Sequence, residues 1–129
     1  MKFYIASGFK NKENVRQVSA ALQEKGHIQT YDWTQNERAS SLDHLKRIGE
    51  LEKTAVSDSD LLIMLLPAGF GSHIEAGIAI GLGRRVFIYS PDPALLSYDK
   101  TSTFYYIEGV KRFTGTLDSF VQEVLIDLA

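Results

Sequence analysis

The chain has 129 residues, a length typical of one domain that buries roughly two-thirds of the surface its unfolded chain exposes. It has no cysteine, so disulfides and thiolate chemistry are excluded, and we expect a cytoplasmic protein. Fourteen basic and sixteen acidic residues are interspersed, and no segment approaches the ~20 apolar residues of a membrane span. These features argue against a nucleic-acid or membrane partner and favour a small-molecule partner.

The first half of the chain alternates strand and helix patterns. The predicted elements are a strand at 2–6, a helix at 12–25, an edge strand at 27–33, and a helix from Ser41 or Asp43 to about 57. The polar stretch 35–41 between the last two has the length of a mobile lid near a site. In the last helix we expect Leu45, Ile48, Leu51 and Ala55 to point inward, which places Glu52 on or beside the apolar stripe.

A short apolar run, 61–66, predicts a strand that is covered on both faces. Two glycines, Gly69 and Gly71, then turn the chain, and Ser72 is the predicted N-cap of a helix that runs to about residue 82. Glu75 falls in the expected first turn of this helix. Free backbone N–H groups are therefore expected at the carboxyl end of a central strand, where α/β sheets bind ligands.

The second half continues the alternation. We predict a strand at 86–89, a loop at 90–103, a short strand or extended segment at 104–107, and a final helix over 117–128 capped by Thr116. The fold class is therefore α/β, a single doubly wound parallel five-stranded sheet of the Rossmann or flavodoxin-like kind. We expect the strand order 2-1-3-4-5, with helices on both faces and one domain over residues 1–129.

In that strand order the loops after Ala6 and Leu66 face each other across the switch point, and Tyr4 can point toward the helix that carries Glu75. Both loops are rich in glycine, and Lys10 and Lys12 add positive charge that suits a phosphate or a group of sugar hydroxyls. Neither loop has the spacing of a P-loop or of G-x-G-x-x-G. Triphosphate hydrolysis and dinucleotide redox chemistry are therefore disfavoured.

Four segments together resemble the nucleoside 2-deoxyribosyltransferase family, which includes nucleoside 5′-monophosphate N-glycosidases. They are Phe3-Tyr4-Ile5-Ala6, Asp60 before the buried strand, Gly71-x-x-x-Glu75-x-Gly77-x-Ala79 and Gly83-Arg84-Arg85-Val86, and the resemblance covers residues 2–90. It implies cleavage of the N-glycosidic bond of a nucleoside or its 5′-monophosphate, with Glu75 as nucleophile and Tyr4 orienting it. The acidic residue eight positions before Asp60 would protonate the departing base, and here that residue is Glu52.

Two positions depart from the family pattern. The proton donor is usually aspartate, and Gly69 stands where members carry a side chain that contacts the sugar or its phosphate. The predicted substrate-contacting residues are Ser7, Gly8, Phe9, Lys10, Asp60, Gly69, Gly71, Ser72 and His73. We predict no cofactor and no metal, since no second ligand lies at metal spacing from His73. The resemblance also implies a homodimer or larger homo-oligomer. The candidate contacts are the segment 104–107 and the helix at 73–82, where Gly77 and Gly81 offer a flat small-residue face.

The same chemistry follows from the residue types alone. Breaking a C1′–N bond develops oxocarbenium character, which a carboxylate such as Glu75 stabilises or traps as a glycosyl-enzyme. A second acid must hold its proton until the base leaves, and burial of Glu52 and repulsion from Glu75 would both raise its pKa.

Other functions and roles remain open from the sequence. Ser72-His73-Ile74-Glu75 also fits a capping box, in which the glutamate only satisfies a backbone N–H. Glu52 fits a partly exposed helix-surface carboxylate, and Tyr4 a plain core residue. The alternative functions are a non-catalytic nucleotide-binding or sensing module and a phosphoribohydrolase of the lysine-decarboxylase-like family.

Overall fold

The computed structural model describes residues 1–129 and contains one five-stranded sheet with four helices. The strands are β1 (Lys2–Ser7), β2 (Ile28–Gln29), β3 (Leu61–Leu65), β4 (Arg85–Tyr89) and β5 (Val110–Phe113). The helices are α1 (Lys12–Glu24), α2 (Leu42–Asp58), α3 (Phe70–Gly81) and α4 (Leu117–Leu128). All strand pairs are parallel in the order β2-β1-β3-β4-β5, which confirms the predicted α/β architecture and strand order.

Helices cover both faces of the sheet, because α1 packs with α4 and α2 packs with α3. The core is built on the central strands, and all five residues of β3 are buried. Such a strand needs apolar side chains on both faces, which explains the unbroken run of leucine, isoleucine and methionine. None of the helices combines the length and the apolar character required to cross a membrane.

The fifth strand lies later in the chain than predicted. Residues 103–106 form a 3-10 turn in which the Ser102 side chain accepts a hydrogen bond from the Phe104 backbone N–H, and Val110–Phe113 pairs with β4 instead. Phe113 is buried against Phe87 and Phe120, whereas Phe104 is 64% exposed. The aromatic run was therefore a weaker strand signal than two buried residues separated by two charged ones.

The second strand is also shorter than the predicted 27–33, although it is the edge strand that we expected. Asp32 caps a 3-10 turn over Trp33–Gln35 by accepting a hydrogen bond from the Thr34 backbone N–H. This turn directs Trp33 into the core, where its indole Nε1 donates a hydrogen bond to the Ile5 carbonyl at 2.6 Å. A buried indole needs such a hydrogen-bond partner, and the turn that brings Trp33 to this partner ends the strand early.

Helix α2 begins at Leu42 with Ser41 as its N-cap, one of the two predicted starts. Its apolar stripe is only partly buried: Ala55 packs in the core, but Leu45 and Leu51 are 56% and 48% exposed, so their predicted inward positions are wrong. Only the last turns of α2 are buried in the core. The apolar side chains of the earlier turns are left at the surface and beside a cavity.

Candidate active site

A cavity of about 1100 Å³ lies where the loop after β1 meets the start of α3. Its walls come from residues 7–10 of that loop, from the first turns of α3, from the middle of α2 and from residues 36–39. The β1 and β3 chain ends approach closely here, since a Cβ atom at Gly8 would lie 3.6 Å from the Pro67 carbonyl oxygen. The cavity is thus at the carboxyl edge of the two central strands, where ligands bind in this class of fold.

Helix α3 begins at Phe70, three residues before the predicted start, and its N-cap is Gly69 rather than Ser72. Gly69 has no side chain to cap the helix, so no side chain takes the first N–H groups of α3. Ser72 instead lies inside the first turn, buried and lining the cavity. Because Ser72 is not the N-cap, Glu75 lies one turn further into the helix and the capping-box interpretation does not apply.

Three predicted residues meet at the floor of the cavity. Tyr4, on β1, is fully buried, and its hydroxyl donates a short hydrogen bond to Oε2 of Glu75 on α3. The same hydroxyl lies 3.4 Å from Oε2 of Glu52 on α2. Both carboxylates are half-buried and both line the cavity. Two acids from different helices are therefore linked through one phenol on the central sheet.

The pKa values of all three groups are raised. Burial raises the pKa of Glu75 to about 7; the Tyr4 hydrogen bond lowers it in part, and the charge of Glu52 raises it further. Burial also raises the pKa of Glu52, against a smaller lowering by the Tyr4 hydrogen bond. The pKa of Tyr4 is raised by burial and by the two carboxylates. The pair therefore holds one proton over a range that ends near neutral pH.

Most of the predicted substrate-contacting residues lie around these carboxylates. Seven of the nine line the cavity, namely Ser7, Gly8, Phe9, Lys10, Gly69, Gly71 and Ser72. Ser7 is partly committed, because its hydroxyl donates to the Leu65 carbonyl at 2.7 Å and accepts from the Asn11 side chain. The Ser72 hydroxyl makes no hydrogen bond within the protein and is the freer of the two for a ligand.

Asp60 does not belong to this site. It precedes β3 at the amino edge of the sheet, where its Oδ2 accepts a hydrogen bond from the Lys2 backbone N–H at 3.0 Å. The five residues of β3 separate it from the glycine loop, a length of roughly 16 Å at ~3.3 Å per residue. Asp60 therefore fixes the start of β1, and it cannot replace Glu52 as a proton donor.

His73 contacts protein groups rather than the cavity. Its Nδ1 lies 2.8 Å from the Gly69 carbonyl, which is only an acceptor, so Nδ1 carries the hydrogen. The other nitrogen, Nε2, then accepts the Tyr105 hydroxyl hydrogen at 2.7 Å. Arg112 on β5 donates to the Tyr105 carbonyl at 2.7 Å. His73 thus ties the glycine loop to β5, and its predicted sugar contact is replaced by this structural one.

Sequence reasoning missed part of the cavity wall. The ring centroids of Phe9 and Trp33 are 5.9 Å apart, and the Lys12 ammonium lies 4.1 Å from the centroid of the Phe9 ring. Lys53 and Ile74 also line the cavity. For Lys53 and Ile74 the signal was present, since each is the neighbour in sequence of a predicted catalytic glutamate. For Trp33 there was none, because a predicted edge strand gives no reason for an indole to face a site.

Comparisons with solved structures identify the fold. The Clostridium botulinum CMP N-glycosidase BcmB aligns over 98% of this chain and 99% of its own, with a TM-score of 0.72 and 18% identity. The 2-deoxyribosyltransferase from Bacillus psychrosaccharolyticus aligns over 94% of this chain and 90% of its own, with a TM-score of 0.66 and 18% identity. The chain shares their fold. No family model and no curated protein matches the sequence.

The raised pKa of Glu75 makes stability depend on pH. In the unfolded chain this carboxyl ionises near 4.5 and in the folded protein near 7, so its contribution to stability is complete below 4.5 and is lost as pH rises to 7. The amide of Glu75→Gln does not ionise, so the variant does not lose this stability as pH rises. We expect the variant to gain stability over the wild type by up to about 3 kcal/mol between pH 4.5 and 8, measured by urea unfolding.

The matched control is Glu123→Gln, which removes an exposed carboxylate on α4 away from the cavity. Its stability difference from the wild type should stay constant over the same pH range. If the Glu75→Gln difference were equally flat, the carboxylate would not be desolvated in solution.

Proposed function

We propose that the chain belongs to the nucleoside 2-deoxyribosyltransferase family. It cleaves the N-glycosidic bond of a nucleoside, a deoxynucleoside or its 5′-monophosphate and transfers the sugar to water or to another base. Glu75 is the nucleophile in this proposal, Glu52 is the proton donor and Tyr4 positions the carboxylates. The observation that carries it is the pair of half-buried carboxylates joined through the Tyr4 hydroxyl beneath a cavity large enough to hold a nucleotide. The shared fold with an N-glycosidase and a deoxyribosyltransferase supports it.

The proposed reaction has two displacements. In the first, a Glu75 oxygen bonds to C1′ while the C1′–N bond breaks, and the Glu52 proton passes to the departing base. In the second, water or another base attacks C1′, the Glu75 carboxylate leaves, and Glu52 takes the proton of the acceptor. Two carboxyls in such different protonation states need the one-proton condition that burial and mutual repulsion favour here.

Sugar and base have separate surroundings in this cavity. The Ser72 hydroxyl and the free N–H groups of the first turn of α3 are on the Glu75 side and suit sugar or phosphate oxygens. They supply the contact that the side chain absent at Gly69 would have made. The Phe9 ring offers an apolar surface on which a base can stack. Basic and acidic side chains are equal in number on the wall, so the charge of the cavity does not by itself require a phosphate.

The first test is incubation of the protein with a panel of nucleosides, deoxynucleosides and their 5′-monophosphates, with chromatography of the free base. An enzyme releases base from at least one member of the panel. Binding without release, seen by calorimetry on the same panel, would identify a sensing module instead.

Glu75→Gln should lower base release about 1000-fold or more, because an amide oxygen is a poor nucleophile and carries no charge to stabilise the oxocarbenium ion. The matched control Glu123→Gln should keep wild-type activity. A Glu75→Gln variant that retains a tenth of wild-type activity at saturating substrate would remove the nucleophile role.

Glu52→Gln should depend on the leaving group. An acid matters most when the base leaves poorly, so the loss should be severe with natural purines or pyrimidines and mild with a base that departs without protonation. One proton is shared between the two acids, and the reactive form has this proton on Glu52 with Glu75 ionised. Wild-type activity should therefore be bell-shaped in pH, with an alkaline limb where the pair loses this proton. That limb should be absent in Glu52→Gln. Equal losses with both kinds of substrate would make Glu52 a structural carboxylate.

We further propose that the protein assembles as at least a dimer through an exposed apolar face of α2 and α3. This α2–α3 face consists of Leu42 and Leu45, one turn apart on α2, and Phe70 and Ile74, one turn apart on α3; their exposures are 83%, 56%, 94% and 65%. Leu45 and Ile74 also line the cavity, so a second copy seated here would narrow its mouth. An apolar face of this kind is typical of an interface.

Light scattering should therefore give at least a dimer at micromolar concentration. The double variant Leu42→Gln/Phe70→Gln should weaken assembly at least about 100-fold, because each apolar side chain buried at an interface contributes ~1.5–3 kcal/mol. Ile126→Gln is the control, since Ile126 is 75% exposed on α4 at the opposite face of the sheet. A fully active wild-type monomer would contradict this assembly.

A further inference from the structure

The Tyr4 hydroxyl is the one group that contacts both carboxylates of the site. It lies within hydrogen-bond reach of Oε2 of Glu75 and of Oε2 of Glu52, and it has no other hydrogen-bond partner in the protein. The phenol ring is fully buried, and Tyr4 pairs with Leu62 of β3 within the central sheet. The oxygen is therefore held in place while its hydrogen remains free to rotate.

Counting hydrogens shows that these contacts cannot all be satisfied at once when both acids are ionised. A phenol has one hydrogen to donate and lone pairs to accept, whereas an ionised carboxylate only accepts. With both carboxylates charged, one of them would face a lone pair of the Tyr4 oxygen, which is costly in a buried site. With one proton on the pair, the neutral acid donates to Tyr4 and Tyr4 donates to the charged one. Three groups then share two hydrogens without an unsatisfied contact.

We propose that the Tyr4 hydroxyl hydrogen follows the negative charge through the reaction, bound to Glu75 before attack and to Glu52 once the glycosyl-enzyme has formed. This inference rests on the proposed function. In the first step Glu75 forms its bond to C1′ and loses its charge, while Glu52 gives its proton to the base and gains one. The better acceptor for the single hydrogen of Tyr4 is then the charged Glu52 carboxylate, and rotation of the hydroxyl is enough to direct the hydrogen toward it.

The second displacement reverses this order. Glu52 removes the proton of the attacking water or base, the C1′–oxygen bond to Glu75 breaks, and Glu75 recovers its charge and the Tyr4 hydrogen. No proton is gained or lost by Tyr4 itself, so no phenolate is formed, in keeping with its raised pKa. Tyr4 is thus a positioning residue that acts through both acids in turn rather than through the nucleophile alone.

The decisive comparison is the effect of Tyr4→Phe on two substrates of the same sugar, one with a natural base and one with a base that leaves without protonation. Single-turnover release of the base measures the first displacement alone. A hydrogen that moves to Glu52 assists the acid, so Tyr4→Phe should cost at least tenfold more with the natural base. In a Glu52→Gln background with the good leaving group, Tyr4→Phe should change the rate by the same factor as in the wild type with that substrate.

A Tyr4 that only orients Glu75 gives a different result: one common factor for both substrates, which would overturn the proposal. Tyr89→Phe is the control, because the Tyr89 hydroxyl donates to the Gly115 carbonyl and touches neither carboxylate. It should leave the ratio of the two rates unchanged.

A second readout needs no turnover. Carbon-13 NMR of the glutamate side-chain carboxyls in Tyr4→Phe should show that the titration midpoints of both Glu52 and Glu75 rise, because each anion loses a donor it can reach. A rise for Glu75 alone would overturn the proposal even if the variant were inactive. Wild-type protein that releases no base from any nucleoside or monophosphate would instead reject the proposed function, while the NMR result would still stand.

Discussion

The hydroxyl of Tyr4, placed between two carboxylates, is the contact on which the candidate site depends, and it exists because of strand order. Strand β1 lies between β2 and β3, so Tyr4 is in the middle of the sheet and fully buried. Helices α2 and α3 pack together on the face of the sheet that it reaches, and each supplies one acid. A parallel sheet with another order would separate these groups. The site is therefore a property of the topology as much as of the residues.

Burial of this cluster is also an electrostatic constraint. Two half-buried acids near one phenol repel each other when both are ionised, and this repulsion together with desolvation disfavours the doubly charged state. We therefore expect ionisation of the desolvated Glu75 carboxylate to lower the stability of the folded protein at neutral pH. A structural ion pair would instead have placed a cation beside each acid, but neither Glu52 nor Glu75 forms a salt bridge. The raised pKa values instead favour a proton held near neutral pH, which the proposed acid catalysis would require.

The sheet and the position of the site were predictable because their signals are redundant: the apolar run of β3, the glycines after it and the helix that follows all indicate one strand-loop-helix unit. The errors have different origins, some local and some from residues far along the chain. Ser72 has the local features of an N-cap, but the helix starts earlier because Gly69 already turns the chain. The local sequence suggested that His73 is free to contact a ligand, but its Nε2 accepts a hydrogen bond from Tyr105, thirty-two residues later in the chain. Asp60 precedes β3 and so lies at the amino edge of the sheet, away from the glycine loop, which its place in the sequence already indicated. Of these three residues, only His73 was misassigned because of a contact that the local sequence could not show.

Small residues on α3 explain how Glu75 reaches Tyr4 at all. Ala76 and Ala79 are buried on the sheet side of the helix, and α3 contacts β1, β3 and β4. Larger side chains at these two positions would lift the helix away from the strands, and a separation of roughly one or two ångströms would break the hydrogen bond to Tyr4. The two alanines bury little apolar surface, and the large apolar side chains of the core here belong to the fully buried strand β3. Helix α3 is therefore shaped by close approach rather than by the amount of apolar surface it buries, and the geometry of the candidate site follows from that approach.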